Sequence, residues 1–287
     1  NWEETRMIPY GRDPVPHTTP LAAVDAAEIW SYRLVVAQQK AEVRINGKRM
    51  SSADLSENAD PWLYVRSAGI AGAMMRNAKI SGSPEVPENV GIDTNRDLEG
   101  WCRPYFGGVE PFVPRNRSGS DWRSDESLIV GLQRTALAGT KSESLLQYFR
   151  PLLEDGTMSY SFLYDPGVAL VHPALGRTAF VLGKDRGVLT HDITNGMYER
   201  SGIDPANVTA EPQHQLVQTL PLRVKDWNAM QLRLEDNTVT LILNDTEIFR
   251  RPVESTNDRT FGLFYYLDES SARVRDVSWQ GNWRSTP

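Results

Sequence analysis

The sequence predicts an all-β fold built as an antiparallel two-sheet sandwich, and three observations carry that prediction. Apolar residues recur at period 2: Met158, Tyr160, Phe162 and Tyr164 alternate with Ser159, Ser161 and Leu163, the pattern of a strand with two unlike faces. Short polar turns separate such runs, and the 21 glycines and 18 prolines fall mostly between them. Helical periodicity is scarce: residues 21–30 and 141–149 are the only candidates, and both also read as strand or turn.

The elements follow in order. An early stretch carries Trp30, then Val43-Arg44-Ile45 running into Asn46-Gly47, a hairpin signal. Ser83-Pro84-Glu85-Val86-Pro87-Glu88-Asn89 is Pro-rich and acidic, as a junction between domains is. Next comes the alternating run 158–164. Leu232 and Leu234 then lead to Glu235-Asp236-Asn237, Val239, Leu241 and Leu243 to Asn244-Asp245, and Ile248 and Phe249 close an antiparallel meander.

The two ends of this series match. Pro20-Leu21, Trp30, Asn46, Asp60, Arg76 and Gly82 parallel Pro221-Leu222, Trp227, Asn244, Asp258, Arg275 and Gly281 at offsets of 197 to 199 for the last five pairs after the prolines. A period of this size means duplicated domains. The expected organisation is residues 1–82 as the C-terminal half of one unit, 83–94 as linker and 95–287 as a complete unit. Superposition is expected to pair Trp30 with Trp227 and Arg76 with Arg275. Trp227, Leu241, Phe261 and Val277 are expected in the core. A half-unit leaves sheet edges and an apolar face uncovered. The missing half is expected upstream in a longer precursor, and another polypeptide segment or copy is the expected cover for residues 1–82.

Composition excludes some functions. Lys and Arg total 31 against 37 Asp and Glu, a net charge of −6 with no basic stripe, so no nucleic-acid partner is expected. No apolar run approaches the roughly 18 residues of a membrane-spanning helix. A single cysteine, Cys102, allows no internal disulfide.

Trp227-Asn228, Asn244, Phe261-Gly262-Leu263 and Val274-Arg275-Asp276-Val277 resemble the closing strands of concanavalin A-like jelly rolls, in particular the 3-keto-disaccharide hydrolase-like group. Ser144-Leu145-Leu146-Gln147-Tyr148-Phe149-Arg150-Pro151, Tyr160-Ser161-Phe162, His172-Pro173-Ala174-Leu175-Gly176-Arg177 and His191 are similar to an uncharacterised domain family. That family is abundant in large exported planctomycete proteins, often beside sugar-active modules. The resemblance covers roughly residues 95–287, with its duplicate tail in 15–82. It implies a jelly-roll sandwich and an exported, cell-surface or extracellular setting, and no established activity. Jelly rolls of this type often hold calcium at loop carboxylates; Asp258, Asp268 and Asp276 lie near that region and leave a structural calcium open, but no metal ligand set is assigned. No other cofactor is expected.

Sugar-cleaving jelly rolls need carboxylates alternating on one strand, so that nucleophile and acid face one bond. Here Glu154-Asp155, Glu235-Asp236 and Asp268-Glu269 are adjacent pairs at turn-like positions, which read as solvated turn carboxylates. His172 and His191 have three readings: hydrogen-bonded structural histidines, sugar contacts, or a general base. Tyr160, Phe162 and Tyr164 share one strand face, which suits an inner-sheet core or an aromatic platform for pyranose rings. Two functions follow. One is a non-catalytic carbohydrate-binding or cell-envelope structural module that meets a glycan or glycan-bearing surface through Tyr160, Tyr164, His172, Arg177 and His191. The other is a glycan-active hydrolase or lyase using His172 or His191.

Overall fold

The protein, as a computed structural model, is described over residues 4–6, 18–20, 30–55, 75–82, 89–92, 98, 101–102, 122–133, 142–194 and 207–281. The chain divides into two compact units. One is Asn1–Arg76 with Pro84–Val86; the other is Asn77–Ser83 with Pro87–Pro287. The described regular elements are strands, with a single 3-10 turn at Pro212–His214.

In the first unit, β1 (Glu4–Arg6) pairs antiparallel with β2 (Thr18–Pro20), and β3 (Tyr32–Ala37), β4 (Lys40–Ile45) and β5 (Lys48–Asp54) form a three-stranded meander. Ile45 and Met50 are its buried pair, with Trp30 packed on them.

The second unit contains β6 (Asn89–Gly91), β7 (Trp101–Cys102), β8 (Trp122–Asp125), β9 (Leu128–Gly131), β10 (Glu143–Pro151), β11 (Gly156–Tyr164), β12 (His172–Leu175), β13 (Thr178–Gly183), β14 (Gly187–Asp192), β15 (Val208–Ala210), β16 (Asp226–Glu235), β17 (Thr238–Leu243), β18 (Thr246–Pro252), β19 (Thr260–Tyr266) and β20 (Ala272–Gly281). They build two antiparallel sheets. The seven-stranded sheet runs β15-β14-β13-β12-β19-β10-β7. The eight-stranded sheet runs β18-β17-β16-β11-β20-β9-β8, with β6 also paired to β20. The chain passes from one sheet to the other at β6–β7, β7–β8, β9–β10, β10–β11, β11–β12, β15–β16, β18–β19 and β19–β20, which is the winding of a jelly-roll sandwich. The helix candidate at 141–149 is the strand β10, and β6 falls inside the segment expected to be linker.

The core lies between the sheets and follows the period-2 pattern. On β11, Met158, Tyr160, Phe162 and Tyr164 are buried, and on β16 Asn228, Met230, Leu232 and Leu234 are. Leu146, Tyr148, Phe180, Leu182, Phe261, Leu263 and Tyr265 meet them from the seven-stranded sheet. Leu241, Phe261 and Val277 occupy the core as expected. Trp227 does not. It is half-buried on the outer face of the eight-stranded sheet, under the Arg275 guanidinium at 4.1 Å. The alternation that buries Asn228 and Met230 turns residue 227 outward.

The resemblance motifs acquire structural roles. Asn228 is fully buried, and its side chain accepts from Arg223 N at 2.8 Å and donates to the Arg223 and Asp226 carbonyls. The Asn244 side chain donates to Pro221 O and Asn228 Oδ1 and accepts from Ala229 N. In Val274-Arg275-Asp276-Val277, Asp276 has φ +55° and makes a bulge, which turns both Val274 and Val277 inward.

The two meanders share one register. Each Cα pair of β3–β4 and β4–β5 recurs in β16–β17 and β17–β18 at an offset of 198, including the bulge that follows Val43 and Leu241. Asn46-Gly47 and Asn244-Asp245 sit at equivalent hairpin tips, all four residues at positive φ. Ser31 N donates to Asn46 Oδ1 as Ala229 N donates to Asn244 Oδ1, both at 2.9 Å. This register sets Trp30 against Asn228, not against Trp227 as the sequence suggested, because the true offset is constant. Asn77, at φ +57°, matches Asp276 one residue out of step, as the sequence offset of Arg76 required, although 75–82 forms no strand. Asp60 and Leu21 lie outside the described residues.

Candidate functional site

The outer face of the seven-stranded sheet is where histidines collect. On β12, β13, β10 and β19, and just past the end of β14, the residues turned away from the main core form a second cluster of Leu145, Ala174, Ala179, Val181, Ile193, Phe264 and Tyr266. His172 and His191 belong to this face and are 3% and 0% exposed. A row of small residues runs beneath, since His191 pairs with Ala179, Ala179 with Ala174, and Ala174 with Gly262. A Cβ at Gly262 would meet Leu145 Cδ1 at 2.9 Å. Over this low floor the His191 ring packs 5.2 Å from Phe264 and reaches across three intervening strands to a side chain on β10.

That side chain is Glu143, itself fully buried. Its Oε1 lies 2.7 Å from His191 Nε2, and the Thr194 hydroxyl donates to Oε2 at 2.7 Å, with the Thr194 N–H also directed at the carboxylate. On the other side of the imidazole, Tyr266 Oη is 3.2 Å from His191 Nδ1. Burial, then the charges of Glu269 and Glu143, push the Tyr266 phenol far above its ordinary value, so it keeps its proton. Glu143 and Tyr266 thus face the two ring nitrogens of His191 from opposite sides, so both nitrogens have a hydrogen-bond partner. His172 is held differently. Its Nδ1 accepts from Leu182 N at 3.1 Å, and burial, reinforced by His191, lowers its pKa to about 3.

The other expected ligand residues lie elsewhere. Tyr160 and Tyr164 are buried on the inner face of the opposite sheet. The Tyr160 ring sits 5.8 Å from Phe261, and burial raises its phenol well above the ordinary value. Burial, then Asp185, raises that of Tyr164. Arg177 is exposed in the turn between β12 and β13. Its carbonyl accepts from Ile193 N at 2.8 Å and its guanidinium donates to Ile193 O, so it ties down the end of β14. The structure therefore brings His172 and His191 together around Phe264 and Tyr266, and separates both tyrosines from them. Sequence reasoning missed Glu143, Tyr266 and Thr194. Glu143 carried a signal: it is in phase with Leu145 and Gln147 on one strand, opposite Ser144, Leu146 and Tyr148.

A second surface stands open. The outer face of the eight-stranded sheet presents Trp227 with Arg275, and beside them Ser159, Ser161, Gln231 and Arg273. Farther along, Glu247 holds Arg233 at 2.5 Å and Arg250 at 2.6 Å. The adjacent acidic pairs fall at turns or strand ends as expected. Asp268 accepts from Ser142 N, Asp258 from Thr260 N, and Asp276 pairs with Arg275. Among the described residues no three His, Cys, Asp or Glu side chains are grouped to hold a metal ion, and no helix is long and apolar enough to cross a membrane.

Solved structures similar to the chain include a carbohydrate-binding module, CBM66, from Bacillus subtilis, at 16% identity over 63% of this chain and 96% of that one, with a TM-score of 0.40. A prokaryotic β-1,3-1,4-glucanase from a mouse hindgut metagenome is similar at 8% identity over 67% and 98%, with a TM-score of 0.38. The exoplasmic/lumenal domain of VIP36, in a Ca2+/Man3GlcNAc-bound form, is similar at 12% identity over 70% and 91%, with a TM-score of 0.38. No curated protein matches the sequence. Residues 33–122 match the family described as "Protein of unknown function (DUF1581)". Residues 137–286, just over half of the chain, match a second family profile, and the chain belongs to that family, described as "Domain of unknown function (DUF1583_N)".

Proposed function

We propose that the sandwich is a non-catalytic recognition module for a glycan or glycan-bearing surface, in a cell-envelope or extracellular setting. One observation carries the non-catalytic reading: both candidate histidines are sealed from solvent and committed to structural hydrogen bonds. A general base must reach the proton it removes, and one held neutral to about pH 3 by burial is a poor base. Of the five residues expected to contact a ligand, only Arg177 is exposed. Recognition therefore falls to open polar surface, and the face around Trp227 suits it best. The Trp227 indole lies there with the Arg275 guanidinium over its ring, beside hydroxyls and an amide, and the arginines suit pairing with acidic sugars.

A glycan array probed with the whole chain tests this. Binding that falls at least about tenfold in both Trp227→Ala and Arg275→Ala supports the reading, since a tenfold loss matches a contact worth about 1.4 kcal/mol. Binding that persists in both variants moves the site away from this face. Release of reducing ends or unsaturated products, abolished by His191→Ala, would establish the alternative, a glycan-active enzyme.

A further inference from the structure

The shared register of the two meanders shows what the first one lacks. In the second unit β16 is flanked by β17 on one edge and β11 on the other, paired from Gly156↔Leu234 to Tyr164↔Asp226. In the first unit β3 corresponds to β16, and β4 occupies one edge. Among the described residues nothing pairs with the other edge. The side chains agree. Met230, Leu232 and Leu234 are 0%, 0% and 2% exposed, whereas their counterparts Tyr32, Leu34 and Val36 are 67%, 40% and 59% exposed. Residues 75–82 repeat the contrast independently. Met75 and Ile80 are each 65% exposed, and their counterparts Val274 and Trp279, on the strand along the other edge of β11, are buried.

We propose that the open edge of β3 docks one antiparallel β-strand from a polypeptide segment that repeats the pattern of β11. That segment carries apolar or aromatic side chains at alternate positions, with Ser or Thr between them. The register sets the counterparts of Met158, Tyr160 and Phe162 opposite Leu34, Tyr32 and Trp30. Main-chain hydrogen bonds along an open edge supply affinity, and the alternate side chains supply specificity. An intact second copy of the chain cannot serve as donor, because its β11 is already paired on both edges, with β16 and β20. The occupant is a segment whose strand is not yet enclosed in a sandwich.

A labelled peptide with the sequence of residues 154–166, extended by lysines for solubility, serves as the probe against the 287-residue chain. The expected result is saturable binding, with amide exchange slowed at residues 32–37. Leu34→Glu and Val36→Lys should each weaken binding by at least about tenfold while near-ultraviolet circular dichroism stays unchanged, because a charge would be buried against the incoming strand. Both positions are exposed, so neither change disturbs the existing fold. Absence of saturable binding at millimolar peptide overturns the proposal. So does binding that survives both variants with protection elsewhere. Self-association of the chain through residues 32–37 without peptide, abolished by Leu34→Glu, also overturns it and makes a second copy the occupant.

Discussion

Burial holds the His172 imidazole neutral down to about pH 3 in the folded chain, whereas it protonates near 6.5 once unfolded. Between these values the unfolded state carries the extra proton. Stability therefore rises with pH at up to about 1.4 kcal/mol per unit; the contribution is complete above 6.5 and is lost as pH falls toward 3. His172→Asn keeps an acceptor for Leu182 N and removes the titration. Denaturant unfolding measured across this window should show a slope reduced by one proton in the variant, and an unchanged slope would mean that His172 is not the titrating group. Tyr160 makes the opposite kind of test. Its hydroxyl is buried with no hydrogen-bond partner among the described residues, so Tyr160→Phe should be neutral or stabilising by about 0–2 kcal/mol in the same assay. A ligand-contacting tyrosine would leave stability alone and cost glycan binding instead. At this scale the sequence showed residue types but not the faces that matter. His191 could be placed with Leu189 and Ile193, yet its partner Glu143 lies 48 positions away on β10. Only strand order and the small residues Ala174, Ala179 and Gly262 bring them together.

Strand elements were far more legible, because period 2 and turn chemistry are local properties. The meander 226–252 appears with its tips at Asp236-Asn237 and Asn244-Asp245, all at positive φ, where Asn and Asp are tolerated. The expectation that Trp227 lies in the core fails for a readable reason: the phase of Leu232 and Leu234 already assigns residue 227 to the other face. The cross-strand pair Gly156↔Gly281 could not be read at all. The Trp279 indole lies across both, and a Cβ would meet its ring at 2.4 Å from Gly156 and 2.5 Å from Gly281. Neither glycine has a positive φ, so packing rather than backbone conformation demands it. Gly156→Ala must push the indole from its place or part β11 from β20. Overpacking of this kind costs about 1–3 kcal/mol, and chemical denaturation should show at least that loss. A loss below about 0.5 kcal/mol would mean that Trp279 moves freely, contrary to its 1% exposure.

For the whole molecule, the two units differ in what they bury. The main core of the second runs from Ile92 to Trp279 and draws on both sheets, and the cluster on the outer face draws only on residues 145–266. In the first unit Ile45 and Met50, with Trp30 against them, are the packed apolar cluster among the described residues. A buried Leu, Phe or Met contributes about 1.5–3 kcal/mol, so the second unit has ample material to offset its ordering entropy and the three-stranded meander has little. The repeat explains the imbalance, since the residues of β3 that match the buried Met230, Leu232 and Leu234 face solvent. A chain cut to residues 87–287 should therefore keep the near-ultraviolet circular dichroism of Trp101, Trp122 and Trp279 and unfold cooperatively within about 3 °C of the corresponding transition in the whole chain. Residues 1–86 alone should give no cooperative transition. The reverse outcome, a truncated sandwich with no tertiary signal, would mean that the closed core seen between its two sheets is not self-sufficient.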